Sequence, residues 1–144
     1  MTASPTPSTT PIGTPSIGTL VGEFHDAFGL SRRATPDADV PTDLATLRMA
    51  LLDEECEELR AAVAANDIIG IADALADITY VVHGTAHTYG IDLDAVLREV
   101  HLSNMSKLDA DGTPLLREDG KVLKSAAYTR PDVARVLANQ LPLF

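Results

Sequence analysis

Five carboxylates fall within residues 53–58, which read Asp-Glu-Glu-Cys-Glu-Glu in a segment that otherwise predicts a long helix. An apolar stripe with spacings of three and four precedes them: Leu44, Leu47 and Leu51. On a helix of 3.6 residues per turn, Glu55 and Glu58 continue this stripe. The acids should therefore point toward the same side as the apolar residues. Inward-pointing carboxylates are unfavourable unless cations compensate them.

A second apolar segment, residues 68–82, carries its only two charges at Asp73 and Asp77. They are four positions apart, so both lie on one side of a helix. Each unpaired carboxylate in an apolar interior costs roughly several kcal/mol after relaxation. Compensation by side chains is scarce, because no Lys or Arg occurs between Arg60 and Arg98. Carboxylate oxygens from two facing helices therefore predict a binding site for a hard divalent cation, and we expect this cation to be Mg²⁺.

The alternative is an ordinary solvated acidic face, which is the usual reading of a charge run. The helical phase argues against it, because like charges at i and i+4, such as Glu54 and Glu58, destabilise a surface helix. For Asp73 and Asp77 the alternative is a pair of buried hydrogen-bond acceptors.

A basic segment follows the acidic ones along the chain. Five of the eleven basic residues fall within 24 positions, namely Lys107, Arg117, Lys121, Lys124 and Arg130. A cation on one side and Lys or Arg on the other would hold a polyphosphate between them. Scattered charges on a solvated loop are the alternative.

Composition narrows the class of protein. The 144 residues predict one domain, residues 17–144, after a tail at 1–16 that is rich in Pro, Thr and Ser. A formal charge of −10 disfavours nucleic-acid and anionic-membrane surfaces, which need basic residues. The single cysteine, Cys56, cannot form an internal disulfide, so we expect a cytoplasmic protein. We find no signal peptide and expect no segment long enough to span a membrane.

The pattern predicts an all-α fold that positions these acids. Five helices are expected, at about Ile17–Phe28, Thr42–Ala65, Asp67–Tyr89, Asp92–Ser106 and Pro131–Leu141. Thr42 and Asp92 are the expected N-caps of the second and fourth helices, Gly90 should end the third, and Pro131 should occupy the first turn of the fifth. The first should pack through Leu20, Phe24 and Phe28. The third is apolar nearly all round, so it should be central or lie in a subunit interface. Turn signals in residues 109–129 predict a small hairpin or an ordered loop.

The acidic motifs resemble the MazG-like superfamily of all-α nucleoside triphosphate pyrophosphohydrolases, whose signature is EExxE followed by ExxD. Glu54, Glu55 and Glu58 match the first half, and Asp77 matches the final Asp. Ala74 stands where the signature has Glu. Asp73 comes one position earlier, as in a branch that reads DALAD and that includes bacterial deoxyuridine triphosphatase-like and phage guanine-nucleotide enzymes. Further matching segments extend over about residues 17–133, including Phe24-His25, Tyr80-Val81-Val82, Ser103–Lys107 and Gly120–Lys124.

The resemblance implies an antiparallel bundle with a four-helix core, built into an intertwined dimer or tetramer. It also implies hydrolysis of a nucleoside triphosphate at the α-phosphate, which yields the monophosphate and pyrophosphate. Two or more Mg²⁺ ions would serve each site, with Mn²⁺ able to take their place. We expect a (deoxy)nucleoside triphosphate substrate, with dGTP or GTP and dUTP both open, in nucleotide-pool control or phage modified-purine supply.

The same resemblance assigns roles to individual residues. Glu55, Glu58 and Asp77 would bind the principal ion, and Asp73 would be a further ligand. Glu54 would bind a second ion or orient the attacking water. The residues expected near the substrate are Asn104, Lys107, Lys121, Lys124, Arg117, Tyr128 and His25. Two other functions stay open: a non-catalytic oligomer that binds nucleotide or metal, which Ala74 favours, and a metal-buffering bundle.

Overall fold

The computed structural model describes residues 13–144, and it is built from helices, as the sequence predicts. They are α1 (Ile17–Ala27), α2 (Thr42–Ala64), α3 (Ile68–Tyr89), α4 (Leu93–Met105) and α5 (Val133–Ala138). Within the described range the extended structure is one antiparallel bridge, between Leu116 and Val122. It closes the small hairpin that the turn signals indicate. The predicted tail lies outside the described residues except for its last four positions.

Local signals set the ends of the central helices. The Asp67 side chain accepts hydrogen bonds from Ile69 N and Gly70 N and so begins α3. Gly90 ends α3 in the left-handed conformation, with φ 72°. The Asp92 side chain accepts from Ala95 N and begins α4. These three positions confirm the sequence prediction.

Two helix starts differ from the prediction. Thr42 is already helical and is not the N-cap, because the extended conformation ends one residue earlier, at Pro41 (ψ 136°). Likewise, α5 begins after Asp132, whose side chain accepts from Arg135 N, so Pro131 precedes the helix. This helix is also shorter than expected: it ends at Ala138, with Asn139 as its C-cap.

α2 and α3 form an antiparallel hairpin joined by residues 65–67, and α1 also packs against α3. The buried residues of α1 are Val21, Gly22 and His25. Leu20, Phe24 and Phe28, predicted to be its packing face, are exposed in the single chain. The packing face is thus rotated by about one residue, because α1 approaches α3 closely enough for Gly22 to lie in the contact. α4 packs mainly against α5, and a four-helix core stays a prediction.

α3 is long and apolar enough to cross a membrane, as judged by length and composition alone. The expectation that no segment reaches this length is therefore wrong. Core helices of soluble proteins meet the same criterion, and α3 packs against both α1 and α2.

Candidate metal centre and phosphate-binding segment

Three carboxylates meet between the middle of α2 and the first half of α3. Glu55 and Glu58 lie three positions apart on α2, and Asp77 comes from α3. One carboxylate oxygen of each residue lies within 4.8 Å of those of the other two. The antiparallel hairpin brings them together, because α2 and α3 pack along their length. The three side chains can therefore supply oxygen ligands to one cation.

Glu55 has the most unfavourable environment of the three. Its Oε2 atom is buried and has no hydrogen-bond partner. Burial raises the pKa of the Glu55 carboxyl, and the nearby charges of Glu58 and Asp77 raise it further. A bound cation would remove this penalty by giving the buried oxygen a partner and by offsetting the repulsion. The donor set consists of carboxylate oxygens, which suits Mg²⁺ or another hard divalent ion.

The other predicted ligands lie beside this group. Glu54 is exposed on α2, and its charge contributes to the raised pKa of Glu55. Asp73 is exposed on α3. Ala74, where the family signature has Glu, is only 2% exposed and lies on the same side of α3 as Asp77. Among the residues described, neither Glu54 nor Asp73 joins the group of three, and their ligand roles stay predictions.

Arg48 holds the two helices together and was missed by the sequence reasoning. Its Nη2 donates to the Val81 carbonyl oxygen (2.8 Å) and its Nε donates to Thr85 Oγ1 (3.1 Å). The side chain is buried, and burial lowers the pKa of its guanidinium. Its position, seven residues before Glu55 and so on the same face of α2, was the available signal. Arg48 thereby fixes the distance between the helices that carry the carboxylates.

His25 is packed into the interior, with 2% of its surface exposed. Its Nδ1 hydrogen-bonds the Ser31 carbonyl oxygen at 3.1 Å. Burial lowers its pKa, and the positive charge of Arg48 lowers it further, while the bond to Ser31 opposes this shift. The ring is a structural residue of the α1–α3 contact in this chain, and its predicted contact with substrate stays a prediction.

The predicted phosphate-binding residues lie on a separate part of the chain, at the end of α4 and in the segment after it. Ser103 Oγ donates to the Thr129 carbonyl oxygen (2.8 Å), and Thr129 N donates to Ser106 Oγ (2.8 Å). These bonds hold the end of the segment against α4, close to Asn104 and Lys107. The segment is therefore ordered around the helix terminus.

Within that segment the charged side chains differ in their partners. Lys124 Nζ lies 4.7 Å from the centre of the Tyr128 ring, a cation–π contact that leaves its charge accessible. Arg117 forms an ion pair with Asp119, so its charge is already compensated. Lys121 is exposed. The principal helix contacts between residues 13 and 144 do not join α4 or α5 to α2.

An exposed aromatic cluster lies beside the carboxylate group. The rings of Phe24 and Tyr80 are 5.4 Å apart in an edge-to-face arrangement, and the Phe28 ring is 4.5 Å from that of Phe24. Tyr80 follows Asp77 by three positions on α3, which is slightly less than one helical turn. Flat apolar surfaces of this kind can stack a nucleobase or cover a second protein surface.

Comparison with known proteins identifies the family of the chain. An uncharacterized protein of Acanthamoeba polyphaga mimivirus is 32% identical over 108 residues, which cover 73% of this chain and 41% of that protein. The chain thus spans about two fifths of the length of this relative. The family model described as phosphoribosyl-ATP pyrophosphohydrolase matches residues 21–104, which include α2, α3 and the three carboxylates. This match extends over more than half of the chain, which therefore belongs to the phosphoribosyl-ATP pyrophosphohydrolase family.

Proposed function

We propose that the chain hydrolyses a nucleoside triphosphate between the α- and β-phosphates and releases the monophosphate and pyrophosphate. The observation that carries the proposal is the group formed by Glu55, Glu58 and Asp77, with its unpartnered buried oxygen, in a member of a pyrophosphohydrolase family. Such a group is unfavourable without a cation. Cleavage of a phosphoanhydride requires the neutralisation of phosphate charge that a cation provides.

The proposed ligands of the principal ion are Glu55, Glu58 and Asp77, with Asp73 as a further ligand. Glu54 binds a second ion or orients the attacking water through its carboxylate. Mg²⁺, or Mn²⁺ in its place, supplies charge neutralisation at the phosphate oxygens and lowers the pKa of bound water. Because the pKa of Glu55 is raised, protons compete with the cation for this carboxylate, and cation binding should strengthen as the pH rises.

The phosphates are proposed to contact Asn104, Lys107, Lys121 and Lys124, with Arg117 and Tyr128 nearby. The principal helix contacts of the described residues do not join α4 or α5 to α2, and we propose that these phosphate-binding residues come from a second copy of the chain. Large apolar side chains that remain open support a dimer or tetramer, for example Ile69 (79% exposed) and Phe28 (69% exposed). Neither nucleic acid nor a membrane is a partner in this proposal, and we place the enzyme in the cytoplasm.

The proposed substrate is dGTP, GTP or dUTP, in nucleotide-pool control or phage modified-purine supply. The rings of Phe24, Phe28 and Tyr80 offer a stacking surface near the carboxylates, which favours a substrate that carries a base. The family description names phosphoribosyl-ATP, which has the same triphosphate chain and therefore joins the substrates to be assayed.

The test is product analysis with each of these nucleotides, in the presence of Mg²⁺ or of a chelator. Monophosphate and pyrophosphate should form from a preferred base and disappear with the chelator. Glu58→Gln should abolish turnover, because it removes a ligand charge without changing the shape. Glu57→Gln is the matched control, since Glu57 is exposed on the same helix and pairs with Arg60. Full activity in Glu58→Gln would refute the proposed site.

Ala74 favours a second candidate function, a non-catalytic oligomer that binds nucleotide or metal. Its side chain is buried beside the carboxylate group, where the family signature has a fourth acid. Nucleotide binding that depends on Mg²⁺ but yields no product over hours would favour this function over catalysis.

A further inference from the structure

One carboxylate on α4 holds α4 and α5 together. Glu99 accepts hydrogen bonds from Asp132 N (2.8 Å) and from Arg135 Nη2 (2.9 Å) at the start of α5. The principal helix contacts of the described residues join α4 and α5 to each other, and none of them joins either helix to α1, α2 or α3. The direction of α4 relative to those three helices therefore depends chiefly on the segments that connect the two parts of the chain.

Gln140 bridges the link between α3 and α4. Its Oε1 accepts from Asp92 N (2.8 Å), and its Nε2 donates to the Gly90 carbonyl oxygen (2.8 Å). Gly90 is the residue that ends α3, and Asp92 is the N-cap of α4. One half-buried amide thus holds both helix ends at once. A side chain that lacks either the donor or the acceptor cannot make both bonds.

The segment after α5, residues 139–144, makes a second attachment, to the loop between α1 and α2. Leu143 N donates to the Ala34 carbonyl oxygen (2.8 Å), and the centre of the Phe144 ring lies 4.4 Å from Arg32 Cζ. The pair of helices α4 and α5 is therefore tied to the rest of the chain at Gln140 and at the two residues that end this segment.

α4 carries two of the proposed phosphate-binding residues at the end far from Gln140. Asn104 lies in its last turn, and Lys107 follows the last helical residue by two positions. A helix of 13 residues extends for about 20 Å. A tilt of about 10° at its first residue would consequently move its last turn by about 3 Å. Displacements of about 1 Å already weaken the interaction of a protein group with the reacting part of a substrate.

We propose that Gln140 is a positioning residue for the triphosphate, because it fixes the direction of α4 and thereby the places of Asn104 and Lys107. This inference rests on the proposed function, from which it takes the phosphate-binding role of those two residues. It does not depend on catalysis, since a triphosphate that is bound but not cleaved makes the same contacts. It is also independent of which copy of the chain supplies the carboxylates.

The experiment is calorimetric titration of the full chain with Mg²⁺ and the α,β-methylene analogues of dGTP and dUTP. In these analogues a methylene group replaces the oxygen between the α- and β-phosphorus atoms. Gln140→Met keeps the length of the side chain and removes the amide, so we expect an affinity about tenfold lower than that of the wild type. Gln140→Glu keeps an acceptor for Asp92 N and should lose less; it is the variant to use if Gln140→Met does not fold. Asn139→Leu, which removes an exposed amide at the adjacent position, is the matched control and should bind as the wild type does.

Two further measurements separate positioning from a general loss of structure. The affinity for Mg²⁺ alone should be the same in Gln140→Met and the wild type, because the carboxylate group lies on α2 and α3. In a chain that already carries Asn104→Ala and Lys107→Ala, Gln140→Met should lower the analogue affinity by about twofold or less. The reason is that α4 then has no phosphate-binding side chain left to misplace.

An unchanged analogue affinity in Gln140→Met would overturn the inference, and so would an equal loss in both backgrounds or a parallel loss of Mg²⁺ affinity. Product analysis with the natural nucleotides keeps these outcomes distinct from a failure of the proposed function. If the analogues bind as expected but no nucleotide is cleaved, hydrolysis is refuted and the role of Gln140 stands. If neither analogue binds to the wild type, the phosphate-binding role of α4 fails, and the inference on Gln140 fails with it.

Discussion

Gly84→Ala tests whether the contact between α2 and α3 depends on Arg48. A Cβ atom at Gly84 would overlap Arg48 Nη2 and would lie 2.9 Å from His25 Nε2. Both neighbours are buried, so neither can move into solvent. The guanidinium would have to withdraw from the Val81 carbonyl oxygen and from Thr85, to which it now donates.

The magnitude follows from three contributions. Overpacking a buried site costs about 1 to 3 kcal/mol. The loss of one hydrogen bond from a charged group costs about 1.5 to 3 kcal/mol. Replacing glycine by alanine within a helix returns about 1 kcal/mol. We therefore expect Gly84→Ala to lower the free energy of unfolding by about 3 kcal/mol, which is a large fraction of the stability of a domain of this size.

The assay is urea unfolding followed by far-UV circular dichroism, at one protein concentration for all variants. Gly18→Ala is the matched control, because it makes the same change in α1 and the nearest atoms to its Cβ lie 3.6 Å away, an ordinary contact distance. Gly18→Ala should be neutral or stabilising by up to about 1 kcal/mol. If Gly84→Ala unfolded at the same urea concentration as the wild type, the clamp formed by Arg48 would contribute little and the reasoning would be refuted.

Three further predictions concern the proposed site. The pKa of Glu55 in the folded protein lies above its value in the unfolded chain, so the folded protein binds more protons at pH values between the two. As the pH rises through this range, the stability of the metal-free protein should fall, and the Mg²⁺ affinity measured by calorimetry should rise. A stability and a Mg²⁺ affinity that do not change with pH would contradict the raised pKa. Ala74→Glu should lower the stability of the metal-free protein by about 3 kcal/mol, because it buries another carboxylate. It should also increase the rise in melting temperature that Mg²⁺ causes. An equal rise in the variant and the wild type would mean that position 74 does not reach the ion. Lys124→Ala should raise KM about tenfold with little change in kcat, if Lys124 binds a phosphate equally in the ground and transition states, and an unchanged KM in steady-state assays would remove it from the site.

The sequence predicts the carboxylate group better than it predicts what surrounds it. Helical phase alone places Glu55 and Glu58 on the side of α2 that faces α3, because periodicity is a local property of the chain. The contacts of Arg48 and His87 could not be predicted in this way. Each is a buried polar side chain that bonds a backbone carbonyl on another helix, and its partner is defined only after the helices pack.

Helix boundaries, like site residues, are predicted well where their cause is local in sequence and poorly where it is not. Asp67, Gly90 and Asp92 are recognised correctly because each acts on backbone groups within four residues. At the start of α5 two signals compete, Pro131 and Asp132, and the preference of proline for the first turn predicts a start at Pro131. The structure follows the aspartate, because its side chain satisfies the amide of Arg135. Which of two adjacent signals prevails depends on the approach of the preceding segment to Glu99, whose carboxylate accepts from Asp132 N.

The hairpin of α2 and α3 has a consequence for the order of events during folding. Glu58 and Asp77 are separated by nineteen positions, and a three-residue turn with Asn66 in the left-handed conformation joins their helices. Contacts so close in sequence need little loop closure and usually form early. The acids then repel one another already in the transition state for folding, before any subunit assembles. A divalent cation should consequently speed refolding in stopped-flow mixing more than it slows unfolding, so that the ion would act as a folding nucleus as well as a ligand.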